Sequence, residues 1–543
     1  MNNSSSPWDV VIIGGAISGA STACLLLRRS PGLRVLIIEK NAAFKRRVGE
    51  STVEVSAHFL GRTLDLTGHL LEKHLVKQGL RFWFKNAETS ALDECREIGP
   101  GYNVRFPGYQ VDRSVVDEEV LARALAAGAA LRRPLQVRSV ELVAGGLQQV
   151  NWADEAGRTG TETARWLVDA SGVAALVARK HHWLSTNTEH PIAAVWSRWS
   201  GVKNWDSLEL AEKFPGWAKR TKAVRFTATN HLVGRGWWAW FIPLKGGDVS
   251  IGVVFDQRLV ELPEGERLGE RLKAMLYEHP AARELLERAE WHAGDVHFRR
   301  NLAYSSSTHA GDGFVLVGDA AGFIDPFYSP GLDWIGYTST AAAALVADSL
   351  KQVAGPERIA KHNLLFSTSY DRWFRAIYKD KYFYMGDYEL MSLAFRLDLG
   401  LYYLGVVSQP FKHGASALET PSFAGPGTFL PAQIIAFYNR RLAAIGRERW
   451  QRGVWGRHNA GHLFSFRSYE LNTMLGFRVL LAFCAYLWLE AREGWRTWLK
   501  APAPRNEQPV ASTHAEKRAR LASPEPRRSD LQAMPRELFG GGP

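Results

Sequence analysis

Apolar positions along the chain fall into three regimes. "DVVIIGG" (Asp9 to Gly15) is a short unbroken apolar run closing on glycines, which predicts a buried strand. "SGASTACLLLRR" (Ser18 to Arg29) has apolar residues at helical spacing, and "RVLIIEK" (Arg34 to Lys40) reads as a second strand. This βαβ opening predicts an α/β dinucleotide-binding fold of the Rossmann type. A further helix is expected in "VVDEEVLARALAAGA" (Val115 to Ala129), and a strand leading to a Gly turn in "ARWLVDASG" (Ala164 to Gly172). Between about Ala193 and Val254 aromatic and polar residues alternate as in strands, after which "GFVLVGDAAGFIDP" (Gly313 to Pro326) returns to strand, turn and helix. The pattern therefore predicts a first nucleotide-binding part (1–192), a β-rich substrate segment (193–300), a second nucleotide-binding part (301–356) and a helical region (357–500). From Ala501 to Pro543 no periodic apolar face survives, and a disordered tail is expected.

Three cysteines, Cys24, Cys95 and Cys484, lie far apart without metal-ligand spacing, which argues against a disulfide scaffold or a metal site and suits a reducing compartment. No charged n-region with a following apolar stretch opens the chain, so a cytoplasmic location is expected. The apolar run "VLLAFCAYLWL" (Val479 to Leu489) is shorter than the roughly 20 residues that span a bilayer, so no transmembrane segment is expected there, only a buried or surface-lying helix. A net charge of +12 suggests anionic partners. No nucleic-acid-binding motif accompanies it, and an acidic carrier protein or an anionic cofactor suits the charge better.

The glycine motif "GGAISG" follows the first strand and opens the first helix, the context that gives such a motif meaning. Gly14 permits the tight turn and Gly19 a close helix–strand approach, with Ala16 in place of the middle glycine. Gly14, Gly15, Ala16, Ile17, Ser18 and Gly19 would thus cradle a pyrophosphate on the helix N-terminus. Glu39 closes the second strand, where a carboxylate accepts hydrogen bonds from an adenosine ribose. The loop alone does not separate NAD from FAD. Asp319 after a strand suits a ribityl chain, and Arg113 at a helix entrance suits a pyrophosphate, which favours FAD. No second glycine motif for a nicotinamide cofactor is seen, so reduced flavin is expected from a separate reductase.

In this order of motifs the chain resembles the flavin-dependent halogenases, the tryptophan-halogenase-like branch of the single-flavin monooxygenase fold. The resemblance covers about residues 8 to 350 and rests on "GGAISG", "VGEST" (Val48 to Thr52), K-x-G-x-x-F at Lys77 to Phe82, "VDR" (Val111 to Arg113), "DASG" (Asp169 to Gly172), W-x-W-x-I-P at Trp238 to Pro243 and "GDAAGFIDP" (Gly318 to Pro326). It implies that reduced FAD, oxygen and halide yield hypohalous acid, which crosses to a separate chamber and is held there by Lys77. Trp238, Trp240, Phe241, Ile242 and Pro243, with Tyr328, would form the dry wall between flavin and substrate. Glu50 and Ser51 would strap the flavin, and Lys40, Arg47, Gly49, Gly331 and Leu332 complete its expected contacts. The halide would sit at Ser329 and Gly331.

Two departures shape the expectation. Tyr328 stands where the tryptophan-specific branch carries a glutamate, which points away from free tryptophan and toward phenols, pyrroles or polyene acyl chains, free or carrier-bound, in pigment or antibiotic biosynthesis. Pro330 has no N–H where one donor of the halide nest is expected. A flavin monooxygenase without halide use, or a non-catalytic flavin-binding subunit, stays open on the sequence alone.

Overall fold

The computed structural model describes residues 6–106, 108–461, 464–466 and 469–499. The expected tail, 501–543, lies outside the described residues. The described residues up to Thr497 form one compact unit, in which the segments expected from the sequence pack as layers.

The first layer is a sheet in the order Ala310–Gly311, Phe314–Leu316, Thr159–Asp169, Trp8–Ile13, Val35–Ile38, Ala130–Arg132. Its central pairs are parallel, with Ile13 opposite Asp169 and Val10 opposite Val35. Such strands are covered on both faces, which is why they read as unbroken Val, Ile and Leu runs. The helices Ile17–Arg29 and Gly331–Leu350 pack together beside this sheet, almost wholly buried along their length. All parallel strands end at one edge, and the Gly14 turn, the Asp169 turn and the Gly318 turn meet there.

The second layer is a nine-stranded, mainly antiparallel sheet whose centre runs Ile192–Ser200, Val249–Asp256, Trp237–Pro243, Thr229–Gly234, Leu80–Phe84, Arg96–Pro100. Two of its strands, Leu80–Phe84 and Arg96–Pro100, come from the first sequence segment; Leu80–Phe84 enters by pairing parallel to Thr229–Gly234. One face packs on the nucleotide-binding layer and the other on a smaller core with the helices Leu268–Tyr277 and Pro280–Leu285. The strand Trp237–Pro243 obeys the period of two. Trp238, Trp240 and Ile242 belong to the main core, while Trp237, Ala239 and Phe241 belong to the smaller one. Phe241 therefore cannot be part of a wall with Trp238 and Trp240; it packs near Trp205 on the far side, and by the same alternation Pro243 leaves the wall as well.

The expected helical region holds the helices Pro356–Trp373, Tyr388–Tyr402, Phe429–Gln451 and Met474–Leu489. Two stretches, Tyr388–Glu419 and Met474–Trp498, have the length and composition to cross a membrane; 61% of the most apolar window of the first is buried, against 22% for the second. The second corrects the short-run expectation: Val479 to Leu489 is the middle of a 25-residue helical stretch, because the chain continues through a π turn at Glu490–Gly494 instead of stopping.

Candidate active site

At the strand edge the glycines behave as their positions demand. Gly14 has φ +96°, and a Cβ there would lie 2.5 Å from the Ala170 carbonyl oxygen. A Cβ on Gly19 would stand 1.9 Å from the Gly14 carbonyl oxygen, so only glycine lets this helix approach its strand. Gly15 N–H donates to Glu39 Oε2 at 2.9 Å, and Asn41 holds the other carboxylate oxygen. Glu39 is thus fixed against the loop it was expected to serve. Ala16 is the N-cap residue without a side-chain cap, leaving the first N–H groups of Ile17, Ser18 and Gly19 pointing out of the helix.

Arg113 is the first residue of the helix Arg113–Ala126, buried and bidentate to Asp117 at 2.9 and 3.1 Å. A Cβ on Gly49 would touch its guanidinium at 2.7 Å, so that strap residue must be bare. Asp319 makes no hydrogen bond through its carboxylate among the described residues, and burial pushes its pKa up against the pull of Arg113, Arg299 and Arg47. An acceptor left without a donor beside a glycine cradle and a buried arginine fits a group with hydroxyls and phosphates, and FAD supplies both. Lys40 and Arg47 are exposed; Arg47 reaches Asp117 at 3.8 Å. The Glu50 carboxylate is turned to Arg198, which donates to it at 3.1 Å through Nε and 2.5 Å through Nη2, so the strap is pinned to the second sheet.

Past the strap opens a cavity of about 780 Å³ lined by Lys77, Glu54, Tyr328, Asp333, Asp398 and Tyr403, with Pro, Leu and Phe residues between them. Lys77 ends the strand Leu75–Lys77 and is 2% exposed. Its Nζ donates to Ser51 Oγ at 2.9 Å and to the Thr52 carbonyl at 2.8 Å. Burial lowers its pKa from 10.5 to about 8, opposed by Glu54 and Asp333. The K-x-G-x-x-F lysine is therefore a buried amine of lowered pKa, and its partner Ser51 belongs to the expected strap.

Two carboxyl groups flank this amine that sequence reasoning missed. Asp333 accepts from the Ser56 N–H at 2.8 Å and the Tyr402 hydroxyl at 3.3 Å, and burial raises its pKa from 3.8 to about 7. Glu54 accepts from the Tyr403 hydroxyl at 2.6 Å, and burial raises its pKa too. In sequence both are first-turn acids of helices, which is where exposed Asp and Glu ordinarily sit, so no local signal marks them. Deeper in, Lys381 donates to Asp398 at 2.6 Å, and Asp398 also accepts from Tyr438 at 2.6 Å and Tyr328 at 3.3 Å.

The loop Asp325–Pro330 joins the two halves. Tyr378 donates to the Phe327 carbonyl at 3.1 Å, and Tyr382 to Asp325 at 3.1 Å. Tyr328 and Ser329 are both left-handed, φ +67° and +58°, and Pro330 caps the helix Gly331–Leu350. Ser329 N–H is spent on the Pro326 carbonyl at 3.0 Å, so the free donors here are those of Gly331 and Leu332 in the first helical turn. The indoles take a different place from the one expected: none of Trp238, Trp240 and Ile242 lines the cavity. A column of rings runs Trp240, Trp238, Phe327, Tyr328, with centroids 5.9, 5.2 and 4.3 Å apart, and only Tyr328 reaches the cavity. At the other end Trp240 Nε1 donates to Ser250 at 3.2 Å, and its ring lies over Gly252, where a Cβ would be 2.4 Å from it.

A family model described as "Tryptophan halogenase" matches residues 9–93 and 98–383. The flavin-dependent halogenase armH5 of Armillaria mellea is 27% identical over 377 residues, 65% of this chain and 67% of that protein. The flavin-dependent halogenase chlA of Dictyostelium discoideum is 29% identical over 60% of this chain and 57% of its own length. The crystal structure of the halogenase PltM shares the fold with a TM-score of 0.70 at 19% identity, covering 91% of this chain and 99% of that one. With its glycine cradle, the Asp319 carboxylate and buried Lys77 in this frame, the chain belongs to the tryptophan halogenase family: it is a flavin-dependent halogenase.

Proposed function

We propose that the chain chlorinates or brominates an electron-rich phenol or pyrrole, free or presented on an acyl-carrier protein, in pigment or antibiotic biosynthesis. The observation that carries this is the pairing of a buried lysine of lowered pKa with two protonatable carboxyl groups on the wall of one large apolar cavity. The Gly14–Gly19 cradle, Arg113 and Asp319 would hold FAD, which, reduced by a partner, would supply the oxidising chemistry that turns halide into hypohalous acid. Lys77 then donates a hydrogen bond to the hypohalous oxygen and leaves the halogen as its positive end. As the ring carbon bonds to halogen, the oxygen–halogen bond breaks and the departing hydroxide takes the proton of the Lys77 ammonium to become water, leaving a neutral amine that the proton released by the ring restores. Asp333, poised near neutrality, accepts the phenolic proton or the ring proton that the new bond displaces, with Glu54 beside it as the second acceptor. Tyr328, where a base for indole would otherwise stand, gives its hydroxyl to Asp398 and presents only a ring, which favours a flat aromatic guest.

Mass spectrometry of products from a phenol and pyrrole panel tests this, with flavin reductase, NADH and chloride or bromide. A product heavier by the halogen less one hydrogen, lost in Lys77→Ala while FAD binding persists, is expected. Oxygenated product that ignores the halide overturns the reading.

A further inference from the structure

The helical stretch Met474–Trp498 carries an outward stripe of one composition. Met474, Phe477, Leu480, Leu481, Leu487 and Trp488 are each 46–67% exposed, and Cys484 lies among them. At 100° per residue all seven fall on one face, and Trp495 continues it beyond the π turn. No charged side chain interrupts the stripe from Met474 to Trp488; Arg478, Arg492 and Arg496 follow one of its edges. Soluble proteins rarely leave so continuous an apolar strip in water.

The opposite face is fastened to the protein. Leu475, Ala482, Tyr486 and Leu489 are buried, Tyr486 stands 6.2 Å from Tyr438, and Arg441 pairs with Glu490 at 2.7 Å. Past the π turn, Arg449 pairs with Glu493 at 2.9 Å. Crossing a bilayer would require tearing out these contacts, so the helix lies along a surface and does not span. The neighbouring helix Phe429–Gln451 adds Phe429, Leu430, Ile434 and Phe437, all exposed. These residues adjoin the cavity mouth, since Thr428, Pro431 and the 42% exposed Leu404 are among its lining.

The geometry points to a peripheral membrane-binding face: we propose that the Met474–Trp495 stripe and the Phe429–Phe437 patch rest in the interface of an anionic phospholipid bilayer, beside the cavity mouth. Three features select lipid. The stripe is aliphatic and aromatic, with the Cys484 thiol and the indoles as its hydrogen-bonding groups, whereas a protein interface of that length would mix in more polar partners. Indoles of Trp488 and Trp495 suit the headgroup level. Arg478 and Arg496 on the edge and a net charge of +12 attract anionic headgroups, and Arg492 is paired with Glu389 and Glu493.

Cys484 gives a direct readout, because Cys24 and Cys95 are buried. The full chain, labelled at Cys484 with an environment-sensitive nitrobenzoxadiazole fluorophore, is mixed with phosphatidylcholine–phosphatidylglycerol vesicles and floated on a density gradient. The protein should float with the vesicles, the fluorophore should shift to the blue, and raised salt should weaken binding several-fold. Leu480→Gln, Leu481→Gln, Leu487→Gln and Trp488→Gln combined should cut vesicle partitioning by about tenfold or more while FAD binding, judged by flavin absorbance, stays unchanged. Absence of flotation overturns the proposal. So does a fluorophore unmoved by vesicles. A solution mass of twice 60.7 kDa that the fourfold variant halves, without vesicle binding, assigns the face to a second copy and overturns it as well.

Discussion

The flavin end and the cavity end are built on opposite principles. At the flavin end the backbone makes the site: Gly14, Gly19 and Gly49 each stand where a Cβ would collide at 2.7 Å or less. The binding groups there are N–H donors of one helix, and the chain that supplies them is contiguous. At the cavity end side chains make the site, and they come from the strand Leu75–Lys77, the short helix Glu54–His58, the helix Gly331–Leu350 and the helix Tyr388–Tyr402. A backbone-built site tolerates no substitution, but its loss is uninformative about chemistry. A side-chain site survives substitution as a fold and loses one step at a time.

The largest effect therefore belongs to the flavin end. Gly19→Val should abolish FAD binding outright, read as absence of flavin absorbance in the purified protein, since the 1.9 Å approach to Gly14 leaves no room even for one methyl. Retained stoichiometric flavin would show that the helix can move away from its strand, and the comparison would fail. Next comes Lys77→Met, which should lower halogenated product by about a thousandfold with flavin still bound. Its effect on stability should run the other way. A lysine whose folded pKa lies below its unfolded value weakens folding fully below about pH 8, and the penalty fades as pH rises toward 10.5. That shift corresponds to roughly 3 kcal/mol at neutral pH, so the variant should melt a few degrees higher in calorimetry. Lower Tm together with lost activity would make Lys77 a structural residue.

This division also explains what could be read from the sequence. Contiguous motifs carried the flavin site, because the conformations of Gly14 and the spacing of Glu39 are local properties. The lysine was legible through its motif, but its burial is tertiary, produced by Ser51 and Thr52 folding over it. Glu54 and Asp333 were hidden, since burial converts ordinary helix-start acids into poised carboxyls only when Tyr402 and Tyr403 arrive from about 70 and 350 residues away in the chain. The W-x-W-x-I-P strand was half legible. Its rigidity is real, but period-two alternation sends Phe241 to the other core, and the cavity wall is Tyr328, with the two indoles behind it.

Asp333 offers a finer cut through the cavity end. If its carboxylate must be ionised and Lys77 must be protonated, kcat/KM should rise as pH climbs through about 7 and fall above about 8. Asp333→Asn should lower the plateau by about tenfold to a hundredfold and remove the acid limb, with the alkaline limb kept. An unchanged acid limb would transfer the role to Glu54.

The smallest effect is expected where the two ends touch. Pro330 caps the helix Gly331–Leu350 with φ −77°, a value alanine adopts freely, and it occupies the position where one halide donor was expected. Pro330→Ala restores an N–H beside those of Gly331 and Leu332 without moving the backbone, and stability should fall by only about 1 kcal/mol through the unfolded chain. A charge-assisted N–H contributes about 1 kcal/mol to holding an anion, so the KM for bromide should drop by about fivefold with the KM for the aromatic unchanged. Should bromide KM stay constant, the first-turn donors already saturate the ion, and the proline is a rigid cap that costs the halide nothing. Should the aromatic KM move instead, residue 330 belongs to the cavity through Tyr328, and the boundary between the two ends lies one turn further into the helix.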